Sequence, residues 1–190
     1  MSTPIEIPRI ETRTPLHPAI EHFVLHWGDM GGQWGVNRSV SQIHALLYIA
    51  ERPLNAEEIA AMLGIARSNV SNSLKELLGW ELIRRVPVKG DRREHFEAET
   101  DVWEMVRRIA AGRKAREIDP ALAVLRRSLA EAEADAAVHP IAVRRLKDML
   151  TFTESVDAWY QQMLNVPKPV LSRLLRLGAR IIKYLPGGGS

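Results

Sequence analysis

Residues 55–98 read NAEEIAAMLGIARSNVSNSLKELLGWELIRRVPVKGDRREHFEA. Asn55 and Glu58 stand three positions apart. At that spacing each side chain can bond the other's backbone N–H, so a helix is expected to start there. Ile59, Met62 and Leu63 form its apolar stripe, and Gly64 stands where a helix can end in the left-handed conformation. Ala66, Val70, Leu74 and Leu77 then recur at helical spacing. They predict a second helix that buries them and stops at Gly79. Leu82, Ile83 and Val86 read as a short strand, Pro87 to Arg92 as a turn rich in Pro, Gly and Asp, and His95, Phe96 and Ala98 as the returning strand. Two helices across a tight turn, followed by a β-hairpin, describe a winged helix-turn-helix.

Outward from this segment the signals are helical. A first helix is expected from Pro18, which suits a helix start, to the glycines near Gly31. Val40, Ile43, Leu46, Leu47 and Ala50 mark one face of a second, beginning after Ser39 and ending before Pro53. Asp101 heads a long helical region that contains Trp103, Met105 and Ile109; Asp119-Pro120 and His139-Pro140 interrupt or restart it. Pro167-Lys168-Pro169 separates a last amphipathic helix, from about Val170 to Leu185. The expected fold class is mainly α. The expected organisation is a flexible arm (1–16), a winged helix-turn-helix domain with its N-terminal helix (17–100), a helical dimerisation region (101–165), and a basic amphipathic helix with a flexible end (166–190). The late helices have little core of their own to cover, and pairing with a second copy would bury their apolar surface.

Composition narrows the function. The chain has 190 residues, 46% of them hydrophobic, which suffices for a core and argues against global disorder. It has no cysteine, so disulfides, thiolate zinc sites and thiol catalysis are excluded. The N-terminal stretch lacks the apolar core of a signal peptide, and no apolar run approaches the ~20 residues of a membrane span. A cytoplasmic protein is expected. The net charge of +3 is unevenly placed. Residues 66–93 hold seven basic side chains against three acidic ones, and residues 165–190 hold five and none. Selected basic surfaces on an otherwise acidic chain suit a polyanionic partner.

The second helix of the quoted segment is the candidate recognition helix. Its exposed side carries Ser68, Asn69, Ser71, Asn72 and Lys75, with Arg67 at its start. Small polar groups fit a major groove, where Asn can pair with adenine bidentately and Lys can reach guanine or phosphate. At the hairpin tip, Lys89, Arg92 and Arg93 suit a minor groove or the flanking backbone, and Asp91 can orient one of the arginines. The plainer readings are a solvated helix face and a charged turn that keeps a sheet edge soluble.

From His17 to Thr100 the chain resembles the MarR family of winged-helix regulators, in particular the branch typified by the glycine-betaine-synthesis repressor. The resemblance rests on HFVLHWGDMGGQWGVNRSVSQIHALLYI, on the spaced helices, and on GDRREHFEA, whose Asp91, Arg92 and Arg93 match the family's wing pattern. It implies a homodimer on palindromic double-stranded DNA and a small ligand that lowers DNA affinity. It also implies a regulator, with repression the expected mode. A quaternary ammonium ligand would need an aromatic cage. Trp27, Trp34, Trp103 and Trp159, with Tyr160, are the candidates; ordinary core or dimer packing is the alternative.

Other features point away from chemistry. His22 and His26 are four apart, but without a third ligand or second shell they are expected to be structural. No phosphate-binding glycine loop or nucleophile elbow is present, and Gly31, Gly32 and Gly35 read as a helix bend. Neither enzyme activity nor a cofactor is expected. The last helix, with Arg173, Arg176, Arg180 and Lys183 along one side, suits dimer packing first, an added DNA contact second and a membrane surface third. A membrane partner is therefore not expected. The rival to DNA binding is a winged helix used for protein–protein assembly, of the chromosome-organisation type.

Overall fold

A computed structural model describes residues 16–178. The arm expected at the N-terminus, apart from Leu16, and the last helix beyond Gly178, including Arg180 and Lys183, lie outside the described residues. The chain divides into two compact units at Met105/Val106.

The first unit opens with α1 (Pro18–Gln33) and α2 (Arg38–Ile49). Proline occupies the first turn of α1, and His17 Nδ1 accepts the Ala19 N–H at 3.3 Å. Asn37 caps α2 through the Ser39 N–H at 2.8 Å, so this helix starts one residue before Ser39. Gly28 and Gly31 are points of close helix approach. A Cβ on Gly31 would sit 1.9 Å from Ser41 Oγ, and one on Gly28 would sit 2.5 Å from Gln42 Cγ. The bend expected at Gly31 and Gly32 is thus a packing surface within a continuous helix. Only Gly35, at φ 77°, takes a left-handed turn conformation, just beyond α1.

Every residue from Val40 to Leu47 is buried. The sequence spacing indicated one apolar face, but α1, α3, α4 and the sheet all pack around this helix. Its polar side chains are therefore enclosed too. His44 is 5% exposed, Nε2 has no partner, and burial pushes its pKa down to about 4.

A two-residue strand, β1 (Leu54–Asn55), leads into α3 (Ala56–Leu63). The capping box is present: Asn55 Oδ1 accepts the Glu57 and Glu58 N–H groups at 3.0 Å, and Glu58 Oε2 accepts the Asn55 N–H at 2.9 Å. Gly64 ends α3 at φ 65°. Ile59 is fully buried, whereas Met62 and Leu63 are half-buried.

The second helix of the pair is α4 (Arg67–Gly79). Val70, Leu74 and Leu77 are buried as expected, but Ala66 is exposed. It precedes the helix as its N-cap, so its side chain lies outside the buried stripe, and Ser73 is buried instead. At the other end the left-handed residue is Glu81 (φ 57°), two positions after Gly79. The Leu82 N–H reaches Leu77 O and the Glu81 N–H reaches Leu78 O, both at 3.0 Å. These are the two bonds of a Schellman cap, and Leu82, at the position of that motif's usual apolar contact, is buried.

The hairpin comprises β2 (Ile83–Val88) and β3 (Asp91–Ala98). Its turn is only Lys89-Gly90, with Gly90 at φ 86°, so Pro87 and Arg92 belong to strands and not to the expected turn. The three-stranded antiparallel sheet has the order β1-β3-β2. β1 pairs Leu54 with Phe96 and Asn55 with His95, a strand too short to show in the sequence pattern.

α5 (Val102–Arg113) begins as expected, with Asp101 Oδ1 accepting the Trp103 N–H at 2.9 Å. In the second unit a π-helical turn (Lys114–Ile118) passes into α6 (Asp119–Ala134), so Asp119-Pro120 restarts helix without a gap. The buried Lys114 ammonium binds Asp119 Oδ1 and lies 2.8 Å from Asp157 Oδ1. The hydrogen bond to Asp119, then the one to Asp157, holds its pKa above the usual lysine value. α7 (Pro140–Asn165) packs antiparallel to α6, tied by Arg126 to Glu154 at 2.9 Å. Tyr160 donates its hydroxyl hydrogen to Ala110 O at 3.0 Å. α8 (Lys168–Leu177) starts two residues before the expected Val170: only Pro167 of the expected break precedes it, and Lys168 and Pro169 form its first turn, where proline is tolerated. Neither α7 nor α8 buries a residue completely. Among the described residues, no helix is long and apolar enough to cross a membrane.

Candidate nucleic-acid interface

The residues singled out on α4 fall into two sets. Ser68, Asn69 and Asn72 are exposed and are held by no side-chain hydrogen bond among the described residues. Arg67, Ser71 and Lys75 instead line a cleft of about 290 Å3 shared with the wing. The cleft is lined also by Arg85, Arg93, Glu94 and Phe96 of the hairpin and by Asn55 and Glu57 at the start of α3. Helical spacing accounts for the α4 lining, since residues 67, 71, 74, 75 and 78 share one side of α4.

The wing separates its two arginines. Asp91 Oδ1 accepts the Arg93 backbone N–H at 2.9 Å, and both carboxylate oxygens accept from the Arg93 guanidinium. The remaining side of that guanidinium donates from Nη1 to Glu57 Oε2 at 3.1 Å. Arg93 is therefore turned onto the protein by two carboxylates. Its side-chain and backbone hydrogen bonds hold the Asp91 carboxyl well below the usual carboxylate range. Below it, the buried His95 lies 3.0 Å from Arg93 O through Nδ1 and 3.5 Å from Asp91 Oδ2 through Nε2. Arg92, one position away on the pleat, is exposed and has no ion pair among the described residues. The same holds for Lys89 at the turn and Lys75 on α4.

Sequence reasoning missed Asn55, Glu57, Arg85 and Glu94 as members of this site. Arg85 Nε pairs with Glu94 Oε1 at 2.9 Å, and Arg84 with Glu97 across the hairpin. The complementary charges of these two strands were visible in the sequence. Their pairing follows only once the turn is placed at Lys89-Gly90.

The aromatic candidates are dispersed along their elements. Trp27 packs tilted against Phe23, with centroids 5.6 Å apart, and Trp159 lies edge-on to Tyr160 at 6.4 Å. Trp34 follows α1 as its C-cap and is exposed; Trp103 is half-buried in the first turn of α5. Among the described residues no cluster of His, Cys, Asp and Glu is arranged to hold a metal ion, the pair His22 and His26 included.

A three-stranded wing behind a helix-turn-helix, with an uncommitted polar face on the second helix, defines a winged helix-turn-helix protein. Residues 34–94 match the model of the MarR family. Over 91 residues the chain is 22% identical to YvaV of Bacillus subtilis (strain 168), which its name places among HTH-type transcriptional regulators. That match takes in 48% of this chain and 51% of the other, so the chain spans about half the length of this curated relative. A solved structure described as a transcriptional regulator has the same fold, with a TM-score of 0.61 at 22% identity over 77% of this chain and 96% of that one. Residues 34–94 of this chain are thus similar to the MarR family, and its fold is that of a winged helix-turn-helix protein.

Proposed function

We propose that this protein is a sequence-specific DNA-binding transcription regulator, acting as a homodimeric repressor on palindromic operators. The observation that carries the reading is the face of α4, where Ser68, Asn69 and Asn72 are exposed and uncommitted. On this reading these three residues and Ser71 read base edges in the major groove, while Arg67, Lys75, Lys89, Arg92 and Arg93 form the cationic surround. Lys89 and Arg92 supply phosphate or minor-groove contacts from the wing. Two copies would place their recognition helices in successive major grooves, about 34 Å apart.

Dimerisation is supported by the second unit. α7 exposes Met149 (58%), Phe152 (70%) and Trp159 (58%). With the half-buried Val156 these recur three and four residues apart, the spacing of a seam that packs against another helix. Residues 101–165 are accordingly proposed to form the dimer, with α8 (Lys168–Leu177) as its amphipathic extension. The regulatory ligand is proposed to be a quaternary ammonium compound, as in the glycine-betaine-synthesis-repressor branch. Trp27, Trp34, Trp103 and Trp159 are the aromatic groups available to it. Its action is to change the separation of the two recognition helices so that both no longer fit. A cytoplasmic location follows from this function.

The test is selection of duplexes from a random DNA pool by the purified protein, beside an Asn72→Ala/Arg92→Ala double variant. A palindromic consensus recovered by the unaltered protein alone supports the reading. Equal recovery by the variant, or no consensus, overturns it and turns attention to protein partners of the wing.

A further inference from the structure

We propose that the Glu57 carboxylate is a built-in occupant of the cleft between recognition helix and wing, holding two arginines that a phosphate group would otherwise bind. The inference rests on the DNA-binding reading and adds a residue that sets affinity.

Glu57 stands in the first turn of α3 and lines the cleft. One carboxylate oxygen accepts from Arg67 Nη2 at the start of α4; the other accepts from Arg93 Nη1 on the wing, at 3.1 Å. A single anion thus bridges the two cationic elements that flank the groove-facing surface. Two oxygens of one phosphate present the same pair of acceptors. Elsewhere in the cleft Arg85 is paired with Glu94, and further donors are present. Lys75 has no ion pair among the described residues, and the Ser71 hydroxyl is exposed. Asn55, only 1% exposed, keeps a buried amide nitrogen, Nδ2, without a hydrogen-bond partner. Its Oδ1 is spent on capping α3, so Nδ2 is the donor left over.

The bridge is exposed enough to be exchanged. The side chains of Glu57, Arg67 and Arg93 are 49%, 67% and 51% accessible, and ion pairs at such sites are weak and replaceable. Arg93 remains fastened to Asp91 when Glu57 leaves, so the wing keeps its shape. DNA must break the Glu57 contacts before Arg67 can meet phosphate, and this lowers affinity for every duplex alike.

Glu57→Gln keeps the side-chain shape and removes the charge. The expected result is binding to random-sequence duplex about three- to tenfold tighter, with a log K against log salt slope steeper by about one phosphate contact. Glu76→Gln is the control. It makes the same charge change on α4, where Glu76 holds no arginine among the described residues. An equal gain from both variants would show a general charge effect and overturn the proposal. The cycle with Arg67→Ala is decisive: truncating Arg67 should cost little in the unaltered protein and most of the gain in the Glu57→Gln background. A loss of affinity in Glu57→Gln would mean that Glu57 positions the arginines, and the masking role fails. Inorganic polyphosphate is titrated in parallel. If no duplex binds to any variant, the regulator reading falls; tighter polyphosphate binding by Glu57→Gln alone still supports masking, and equal binding overturns it.

Discussion

Asn72 and Arg92 sit within one small domain yet have different physical parts to play. Asn72 offers a paired donor and acceptor on an exposed helix face, whereas Arg92 offers charge at the wing. Asn72→Ala should therefore cost about 1–3 kcal/mol on the preferred operator and little on random DNA, read by competition binding. Arg92→Ala should weaken all duplexes similarly and reduce the salt slope by about one. His44 makes a prediction for stability. In the unfolded chain it titrates near 6.5, while burial holds the folded group neutral down to about 4. The unfolded state thus binds the proton first as pH falls. Stability is intact above about 6.5 and declines toward pH 4, by about 3 kcal/mol when the lag is complete. His44→Leu should flatten that part of the pH–stability curve in chemical denaturation. The sequence placed His44 on a helix, but only the four-sided packing around α2 identified it as a desolvated histidine.

Among the elements, helix ends were the most legible. The capping box at Asn55 and Glu58 and the left-handed Gly64 were read correctly, because these signals act over a few residues. Gly79 ends α4 as expected, but the left-handed position is two residues on and is filled by Glu81. Gly79 itself lies in the helix with open space where a Cβ would stand. Gly79→Ala should raise stability by about 0.5–1 kcal/mol, measured by urea unfolding. Gly31→Ala should do the opposite. Its Cβ would overlap Ser41 Oγ and Cβ across the α1–α2 contact, and α2 is central to the core. A loss of about 1–3 kcal/mol is expected. Nothing in the glycines' own neighbourhoods distinguishes these two outcomes; the difference comes from what another helix brings close.

At the scale of the whole molecule, the first unit holds a closed core, and the second leaves α7 half-covered. Phe152→Glu places a charge in the middle of the exposed apolar row. It should shift the protein from dimer to monomer in sedimentation at micromolar concentration, with the winged helix still folded by circular dichroism. A dimer of unchanged strength would remove α7 from the proposed interface. What the amino-acid sequence determined by itself is the order of helices and the hairpin from α1 to β3, the caps at Asn55 and Gly64, and the concentration of positive charge on α4 and the wing. Those depend on chemistry within about four residues. Only the tertiary structure decided that Arg93 is paired with Asp91 and Glu57 while Arg92 has no ion pair among the described residues, that Glu57 and Arg85 belong to the site, and that β1 completes the sheet. Each of these depends on strand register or on contact between segments far apart in the chain, and a local pattern carries no distance information about either.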